Sequence, residues 1–241
     1  MNKQALIIGG TGGIGSAIVS RLLALGYMVY ATYANSQEIH ERENCKYIRC
    51  DLRNPNEIKD LMDYFEVNAI SIDLVVNCAS GKMNLKLFKD LSAEEIRDDM
   101  EIVLTGAVGI YQGIVPSMMA RKSGMIVNLI TSSVFEPVPA RMSSYVMAKS
   151  ALLGLTNALA VELKNSGIKV FGISPYFVET ELIKAFPAKL LEMEREQMPD
   201  KKFLCPDDIA DVLEMLLENE TETGANLIVH SRADVDDLLS K

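Results

Sequence analysis

A glycine-rich turn near the N-terminus constrains the fold of this chain more than any other feature of its sequence. The apolar run 5–8 is followed at once by five glycines within seven residues, which are Gly9, Gly10, Gly12, Gly13 and Gly15. Glycine adopts positive φ without strain and lets other groups approach the backbone closely. When a strand turns on glycines into a helix, the amide groups at the helix N-terminus can bind an anion. The pattern predicts that arrangement over residues 4–25.

Short apolar runs alternate with longer amphipathic stretches along the rest of the chain. We predict strands at 4–8, 27–32, 46–49, 73–76, 125–130, 168–173 and 226–230. We predict helices at 13–25, 55–66, 93–121, 143–165, 181–196 and 206–219. Several strands are apolar throughout, as expected for a sheet that is covered on both faces. The alternation therefore predicts an α/β fold, with residues 1–241 forming a single domain built on a Rossmann-type, doubly wound parallel sheet.

Composition and charge exclude several classes of function. The 241 residues include 24 basic and 33 acidic side chains, a formal net charge of −9, which argues against binding to nucleic acid. The four cysteines form no CxxC pair and there are only two histidines, which argues against a disulfide scaffold and against a metal site. A reducing, cytoplasmic compartment is expected. The first apolar run is too short for a signal peptide, and no uninterrupted run of 18 apolar residues predicts a membrane span.

The glycine turn follows a predicted strand and precedes a predicted helix, which is the usual context of a site that binds a dinucleotide pyrophosphate. Ligands of doubly wound sheets bind at the carboxyl ends of the strands, where this turn lies. Its spacing, Gly9-x3-Gly13-x-Gly15, differs from the GxGxxG of other dinucleotide folds. It is the spacing of the short-chain dehydrogenase/reductase family, which the chain resembles over almost its whole length. The resemblance implies that the cofactor contacts Gly9, Thr11, Gly13, Ile14 and Gly15.

The ends of the third and fourth predicted strands resemble further cofactor-binding segments of that family. Asp51 and Leu52 match an Asp-hydrophobic pair that contacts adenine, although Asp51 could instead be a turn or helix-capping residue. Asn77 and Ala79 match an Asn-Asn-Ala-Gly segment. The resemblance implies that Asn77 supports the central sheet and that Ala79 lies against the cofactor ribose.

The segment after the sixth predicted strand is similar to the family's Pro-Gly-x-Val-x-Thr motif. By that resemblance, Val178 would bind the nicotinamide carboxamide through its backbone, and Thr180 would bind the cofactor amide or phosphates. Tyr176 stands in the usual glycine position. Residues 181–205 follow and carry several apolar side chains, which predict either a substrate lid or core helix positions.

The residues after the second predicted strand bear on the choice between NADP and NAD. An acidic residue there would bind the 2′-hydroxyl of NAD, and a basic one would favour NADP. The stretch 30–36 contains neither, so nothing repels a 2′-phosphate, to which Asn35 and Ser36 could hydrogen-bond. We predict NADP as the cofactor, with NAD as the alternative.

Tyr145 and Lys149 are four residues apart in a predicted helix, so their side chains share one face. Hydride transfer to a carbonyl needs a proton donor to the oxygen, and a nearby ammonium lowers the pKa of a tyrosine towards the working range. No other Tyr-x3-Lys pair occurs in the chain, and the resemblance places the family's active site here. Tyr145 is therefore predicted to donate the proton, with Lys149 tuning its pKa and binding the ribose.

A hydroxyl after the fifth predicted strand should hold the substrate carbonyl oxygen. The family's serine usually lies 13 residues before the tyrosine, which gives Ser132 in this chain. Alignment of the Ser-Ser-Val pattern gives Ser133 instead. We favour Ser132 as the third catalytic residue.

Two departures from the family pattern affect the expected activity and assembly. Val103 replaces an asparagine of the motif Val-Asn-Leu-Thr-Gly, so the usual proton relay to the lysine must be rerouted, slowed or lost. The expected C-terminal glycines are also missing, which puts the usual tetramer contact in doubt.

These features together predict a carbonyl reductase similar to 3-oxoacyl-carrier-protein reductases, acting on a small ketone that could be linked to a carrier protein or to coenzyme A. The alternatives are an NAD-dependent alcohol or sugar dehydrogenase and a cofactor-binding protein with little turnover. The apolar residues of helices 93–121 and 143–165 exceed what one sheet-facing stripe requires, which predicts a homodimer or homotetramer. The residues of this apolar surplus are Ile110, Ile114, Met118, Ala151, Leu152, Leu155, Leu159 and Leu163.

Overall fold

One parallel sheet organises the residues that the computed structural model describes, which are 2–35, 39, 41–136 and 139–240. Its strands are β1 (Gln4–Ile8), β2 (Met28–Tyr33), β3 (Cys45–Arg49), β4 (Leu74–Asn77), β5 (Gly124–Leu129), β6 (Ile168–Pro175) and β7 (Asn226–Val229). They are hydrogen-bonded in the order β3-β2-β1-β4-β5-β6-β7. The strand order reverses between β1 and β4, which opens a crevice at their carboxyl ends. The predicted single-domain, doubly wound parallel sheet is confirmed.

Helices cover both faces of the sheet. They are α1 (Gly13–Ala24), α2 (Pro55–Val67), α3 (Ala93–Met100), α4 (Gly106–Arg121), α5 (Ser143–Leu163), α6 (Ala188–Gln197), α7 (Pro206–Glu218) and α8 (Arg232–Leu239). One core layer joins the sheet to α1 and α7, and the other joins it to α2, α4 and α5. The predicted capping box at the start of α3 is present, since the Ser92 hydroxyl accepts from the Glu95 amide and the Glu95 carboxylate accepts from the Ser92 amide.

Two predicted helices differ from the structure, and one observed helix was not predicted. The helix at 93–121 is interrupted by a π-helical turn over Glu101–Thr105, which separates α3 from α4. The prediction of a helix over 181–196 is wrong, because a 3₁₀ turn over Glu181–Ala185 ends at Phe186 before α6 begins. Pro187 is the physical reason, since a residue that precedes proline is pushed out of the helical region. Helix α8 was not predicted, although Ser231 and Asp234 form a capping box at its start.

The long helices pack their apolar sides against the sheet. By length and composition alone, Ala93–Arg121 and Ser143–Ser166 could cross a membrane, but in this fold both cover the sheet and are partly buried against it.

The prediction of surplus apolar surface is wrong for most of its residues. Five of the eight are core side chains, which are Ile110, Ile114, Met118, Leu152 and Leu163. The other three are half-buried. The outer face of α5 instead carries mostly small or polar residues, because the helix turns its large side chains inward.

Candidate active site

The glycine turn and two other strand ends meet at the crevice between β1 and β4. Gly9 has φ +76°, and a Cβ there would lie 3.3 Å from backbone atoms of Ala79, which follows β4. A Cβ on Gly13 would lie 2.6 Å from Cγ2 of Thr180, which follows β6. Helix α1 begins at Gly13, the residue that makes this contact. Side chains at these two positions would collide with their neighbours, so the turn needs glycine. We call this glycine turn the cradle, and its exposed backbone suits the close approach of a dinucleotide pyrophosphate.

The end of β2 holds the glycine turn in place. The Gly9 amide donates to Thr32 Oγ1 at 3.2 Å, and the Gly10 amide donates to the Thr32 carbonyl at 2.9 Å. Ile14 packs against the core, Gly15 is buried in the first turn of α1, and Thr11 is half-buried in the loop. The predicted cradle residues therefore surround one site.

Asp51 and Arg53, which follow β3 where the adenine is predicted to bind, form an ion pair. Arg53 donates to the Asp51 carboxylate from its guanidinium at 2.7 and 3.0 Å and from its backbone amide at 3.0 Å. These hydrogen bonds lower the pKa of Asp51. Leu52 is buried against the start of α4, where a Cβ on Gly106 would lie 2.5 Å from the Leu52 Cβ. The contact of Asp51 and Leu52 with adenine stays a prediction.

No carboxylate belongs to the described residues directly after β2, which are Ala34 and Asn35. Asn35 is exposed and available to a ligand at this end. Ser36, the other predicted partner of a 2′-phosphate, lies outside the described residues.

Lys149 is buried at the centre of the site. Its ammonium donates to the carbonyl of Leu129 at 2.6 Å and to that of Ala79 at 3.3 Å, so it joins the ends of β5 and β4. Burial lowers the pKa of Lys149 to about 8. The amine is therefore close to its titration point at neutral pH and responds to charge brought by a ligand.

Tyr145 lies one helical turn before Lys149 on α5. Its phenol is enclosed, and this burial raises its pKa to about 12. A hydrogen bond with the Thr131 side chain acts in the opposite direction, and the charge of Asp99 raises the pKa further. Thr131 and Asp99 therefore both influence the pKa of Tyr145, although neither was predicted as a site residue.

Ser132 lies in a buried turn directly after β5. The backbone stays extended as far as Thr131 and then enters a 3₁₀ turn over Ser132–Val134, which turns Ser132 into the interior. Ser132 is fully buried, and its hydroxyl has no hydrogen-bond partner among the described residues. The alternative, Ser133, donates its amide to Thr131 Oγ1 at 3.3 Å. The contact of Ser132 or Ser133 with a substrate carbonyl stays a prediction, and Thr131 is a third hydroxyl at the same strand end.

Val103 lies in the π-helical turn between α3 and α4. Val103 is buried among apolar side chains of β5 and α5, and its carbonyl accepts from Asn77 Nδ2 at 3.4 Å. Asn77 Oδ1 in turn accepts from the Ala79 amide at 3.0 Å. Asn77 therefore ties the end of β4 to this turn, which fits its predicted support of the sheet.

The loop after β6 connects the cofactor cradle to an apolar cover. Val178 is buried and pairs with Leu204, and the Thr180 hydroxyl donates to the Val178 carbonyl at 3.3 Å. Residues from 181–205 then pack over Tyr145 with an aromatic cluster of Phe177, Phe186 and Phe203. The Tyr176 hydroxyl donates to Glu194 of α6 at 2.6 Å and holds that helix to the strand end. Part of the segment predicted as a lid therefore packs against the tyrosine, and its role as a lid stays a prediction.

Comparison with known proteins agrees with this fold. A family model described as short chain dehydrogenase matches residues 3–190. A 3-oxoacyl-[acyl-carrier-protein] reductase of Staphylococcus epidermidis is 30% identical over 239 residues, which cover 95% of this chain and 97% of that protein. A solved 4-hydroxyisoleucine dehydrogenase complexed with NADH has a TM-score of 0.85 at 25% identity and covers 95% of this chain and 97% of its own. ElxO with NADP bound shares the fold, with a TM-score of 0.84 at 22% identity and full coverage of both chains.

Proposed function

Because this chain belongs to the short-chain dehydrogenase/reductase family and is an NAD(P)-dependent oxidoreductase, we propose that it reduces a ketone to an alcohol with NADPH. The observation that carries the proposal is the buried Lys149 ammonium, which donates to the carbonyls of Leu129 and Ala79 one helical turn after Tyr145. A proton donor, a second hydroxyl and an ammonium then meet at the end of the sheet where the glycine cradle lies.

Each residue has a distinct task in the proposed reaction. When bound, the cofactor supplies a hydride to the carbonyl carbon. Tyr145 transfers its phenolic proton to the carbonyl oxygen, and Thr131 holds that oxygen by a hydrogen bond. The Lys149 ammonium binds the ribose and stabilises the phenolate that remains. The apolar cover above Tyr145 excludes water from this step.

The apolar residues that pack over Tyr145 favour an apolar ketone as the substrate. Phe177, Phe186 and Phe203 pack together against Tyr145 and offer no hydrogen-bonding groups, which a sugar would require. A relative at 30% identity acts as a 3-oxoacyl-[acyl-carrier-protein] reductase, so a 3-oxoacyl thioester is the first substrate to test. The alternatives are an NAD-dependent alcohol or sugar dehydrogenase and a cofactor-binding protein with little turnover.

The proposed activity can be tested by NADPH oxidation with a panel of apolar ketones, 3-oxoacyl thioesters and keto sugars. We expect turnover with the first two groups and little with the third. Preferential turnover of sugars or their alcohols would favour the dehydrogenase alternative.

NADPH is expected to bind more tightly than NADH. The described residues after β2 offer Asn35 and no carboxylate, so a 2′-phosphate meets no repulsion there. Calorimetric titration of both cofactors into the protein measures the difference. As a matched change, Asn35→Asp should weaken NADPH binding and leave NADH nearly unaffected. Tighter binding of NADH by the unchanged protein would contradict the assignment.

We further propose that the chain forms a dimer through the outer face of α5. The exposed residues of α5 recur at helical spacing and are mostly small or polar, and they are Met147, Ser150, Gly154, Asn157, Ala158, Val161 and Glu162. Small side chains let the same helix of a second copy approach closely around a two-fold axis. A tetramer is the alternative, although α8 occupies the C-terminal region in place of the expected glycines.

Gly154→Arg is expected to convert the dimer into a monomer. Nothing lies within 4 Å of a Cβ at Gly154, so the arginine fits the single chain and opposes only a partner. Light scattering measures the mass, and Val67→Arg on the exposed end of α2 is the matched control that should leave the dimer intact. An unchanged protein that stays monomeric on the order of 10 μM would contradict the proposal.

We also place the protein in the cytoplasm. All four cysteines are free thiols, which a reducing compartment maintains. Fractionation of cells that express the tagged protein tests this placement.

A further inference from the structure

Helix α6 packs against the same aromatic cluster as Tyr145 but buries little of its own surface. All ten of its residues are exposed or half-buried, and no described side chain caps its start. Its apolar contacts with the cluster come from Leu190 and Leu191, and from Met198 just beyond its end. An isolated helix of this length is marginal in water. The position of α6 therefore depends on the contacts that tie it to the sheet.

Tyr176 is fixed at the end of the sheet that lies nearest to α6. It directly follows β6, and its amide donates to the carbonyl of Val229, the last residue of β7, at 2.8 Å. Its ring packs edge-on against Phe177, with the ring centres 4.9 Å apart, and lies 5.9 Å from the ring of His230. These contacts limit the directions in which the Tyr176 hydroxyl can point.

The Tyr176 hydroxyl reaches the middle of α6. It donates to Glu194 Oε2 at 2.6 Å, and both side chains are half-buried. Burial raises the pKa of Tyr176 and the hydrogen bond with Glu194 raises it further, so the phenol keeps the proton that it donates. A hydrogen bond to an ionised acceptor is stronger than one between neutral groups.

Arg195 supplies a second polar link from α6 to the loop after β6. Its guanidinium lies 3.8 Å from the Glu179 carboxylate and 4.8 Å from the centre of the Phe203 ring. The side chains of Arg195 and Glu179 are 44% and 55% exposed, and exposed ion pairs contribute little to stability. Among the described residues, the bond between Tyr176 and Glu194 is therefore the strongest polar link from α6 to the sheet.

We propose that Tyr176 is a positioning residue that holds α6 in place through Glu194 and thereby lowers the KM for the ketone. This inference rests on the proposed function and on the cover that residues 181–205 are predicted to form. Tyr176 acts through α6 and needs no contact with the substrate. When α6 is held, the apolar side chains beside Tyr145 stay assembled. When it is released, each binding event has to assemble them first, which weakens the apparent affinity.

Hydrogen–deuterium exchange of the whole protein without ligands measures how firmly α6 is held. Tyr176→Phe removes the hydroxyl and keeps the packing of the ring. We expect the amides of Ala188–Gln197 to exchange about tenfold faster, which is the scale of losing a hydrogen bond to a charged group, while α7 exchanges as before. Tyr64→Phe is the matched control, because it removes a hydroxyl that meets Lys46 at 2.8 Å and should leave α6 unchanged.

Variants at the other end of the bond separate the loss of the hydrogen bond from a change in ring packing. Glu194→Ala should match Tyr176→Phe, and Glu194→Gln, which keeps an acceptor, should have a smaller effect. Tyr176→Phe combined with Glu194→Ala should exchange no faster than either single variant, because both remove the same bond. Unchanged exchange of α6 in the two single variants would overturn the proposal, as would effects that add in the double variant.

The exchange experiment does not depend on turnover. In an active enzyme, Tyr176→Phe should raise the KM for an apolar ketone about threefold or more and leave kcat and the affinity for NADPH nearly unchanged. A fall in kcat with an unchanged KM would overturn the role of Tyr176 in positioning the cover. If the unchanged protein reduces no ketone, the proposed function fails, while faster exchange of α6 still supports its attachment through Glu194.

Discussion

Tyr145→Phe is expected to lower turnover by about 100-fold or more while leaving the affinity for NADPH nearly unchanged. The substitution removes only the phenolic oxygen, which supplies the proton and is not a main contact to the cofactor. Steady-state kinetics with a ketone substrate and calorimetric titration with NADPH measure the two effects separately.

Lys149→Ala provides the contrasting result. Its ammonium joins the ends of β4 and β5 and is proposed to serve both the ribose and the tyrosine, so cofactor affinity and turnover should fall together. Full activity of Tyr145→Phe on a substrate of the unchanged enzyme would show that another group donates the proton.

Thr131→Val is expected to lower turnover by about 100-fold, which is the scale of losing one hydrogen bond to a developing oxyanion. Valine keeps the shape of threonine and removes the hydroxyl that meets Tyr145. Thr131→Ser should restore most of the rate because it returns the hydroxyl. The kcat of each variant is the measurement, with cofactor affinity as the check on folding.

Ser132→Ala is the matched control for that prediction. Ser132 is buried without a hydrogen-bond partner among the described residues, so its hydroxyl should contribute little to turnover. A large loss in Ser132→Ala together with normal rates in Thr131→Val would restore Ser132 to the role predicted from spacing.

The sheet could be predicted from the sequence because its strands are short apolar runs between turn residues. Most predicted strand ends fall within one or two residues of the observed ends. The errors occur where local signals compete. Pro187 ends a helix that apolar periodicity predicted, and α8 is too short and too polar for that periodicity to reveal it, although Ser231 and Asp234 cap its start.

Most of the site could also be predicted, since glycine spacing and the Tyr145–Lys149 pair are local features. Thr131 could not be found by counting back from the tyrosine, because that count assumes a fixed loop length between strand and helix. Counting forward from the end of β5 would have reached it. Asp99 gave no signal at all, because only the packing of α3 against α5 shows that this one of several acids is buried.

Transfer of deuterium from NADPH labelled at the hydride position of the nicotinamide tests the central claim most directly. If this protein is a carbonyl reductase, mass spectrometry of the alcohol formed from an apolar ketone or 3-oxoacyl thioester will show one deuterium on the carbinol carbon, and Tyr145→Phe will form little of that product. NADPH binding without any deuterated alcohol, from any ketone of the panel, would contradict it.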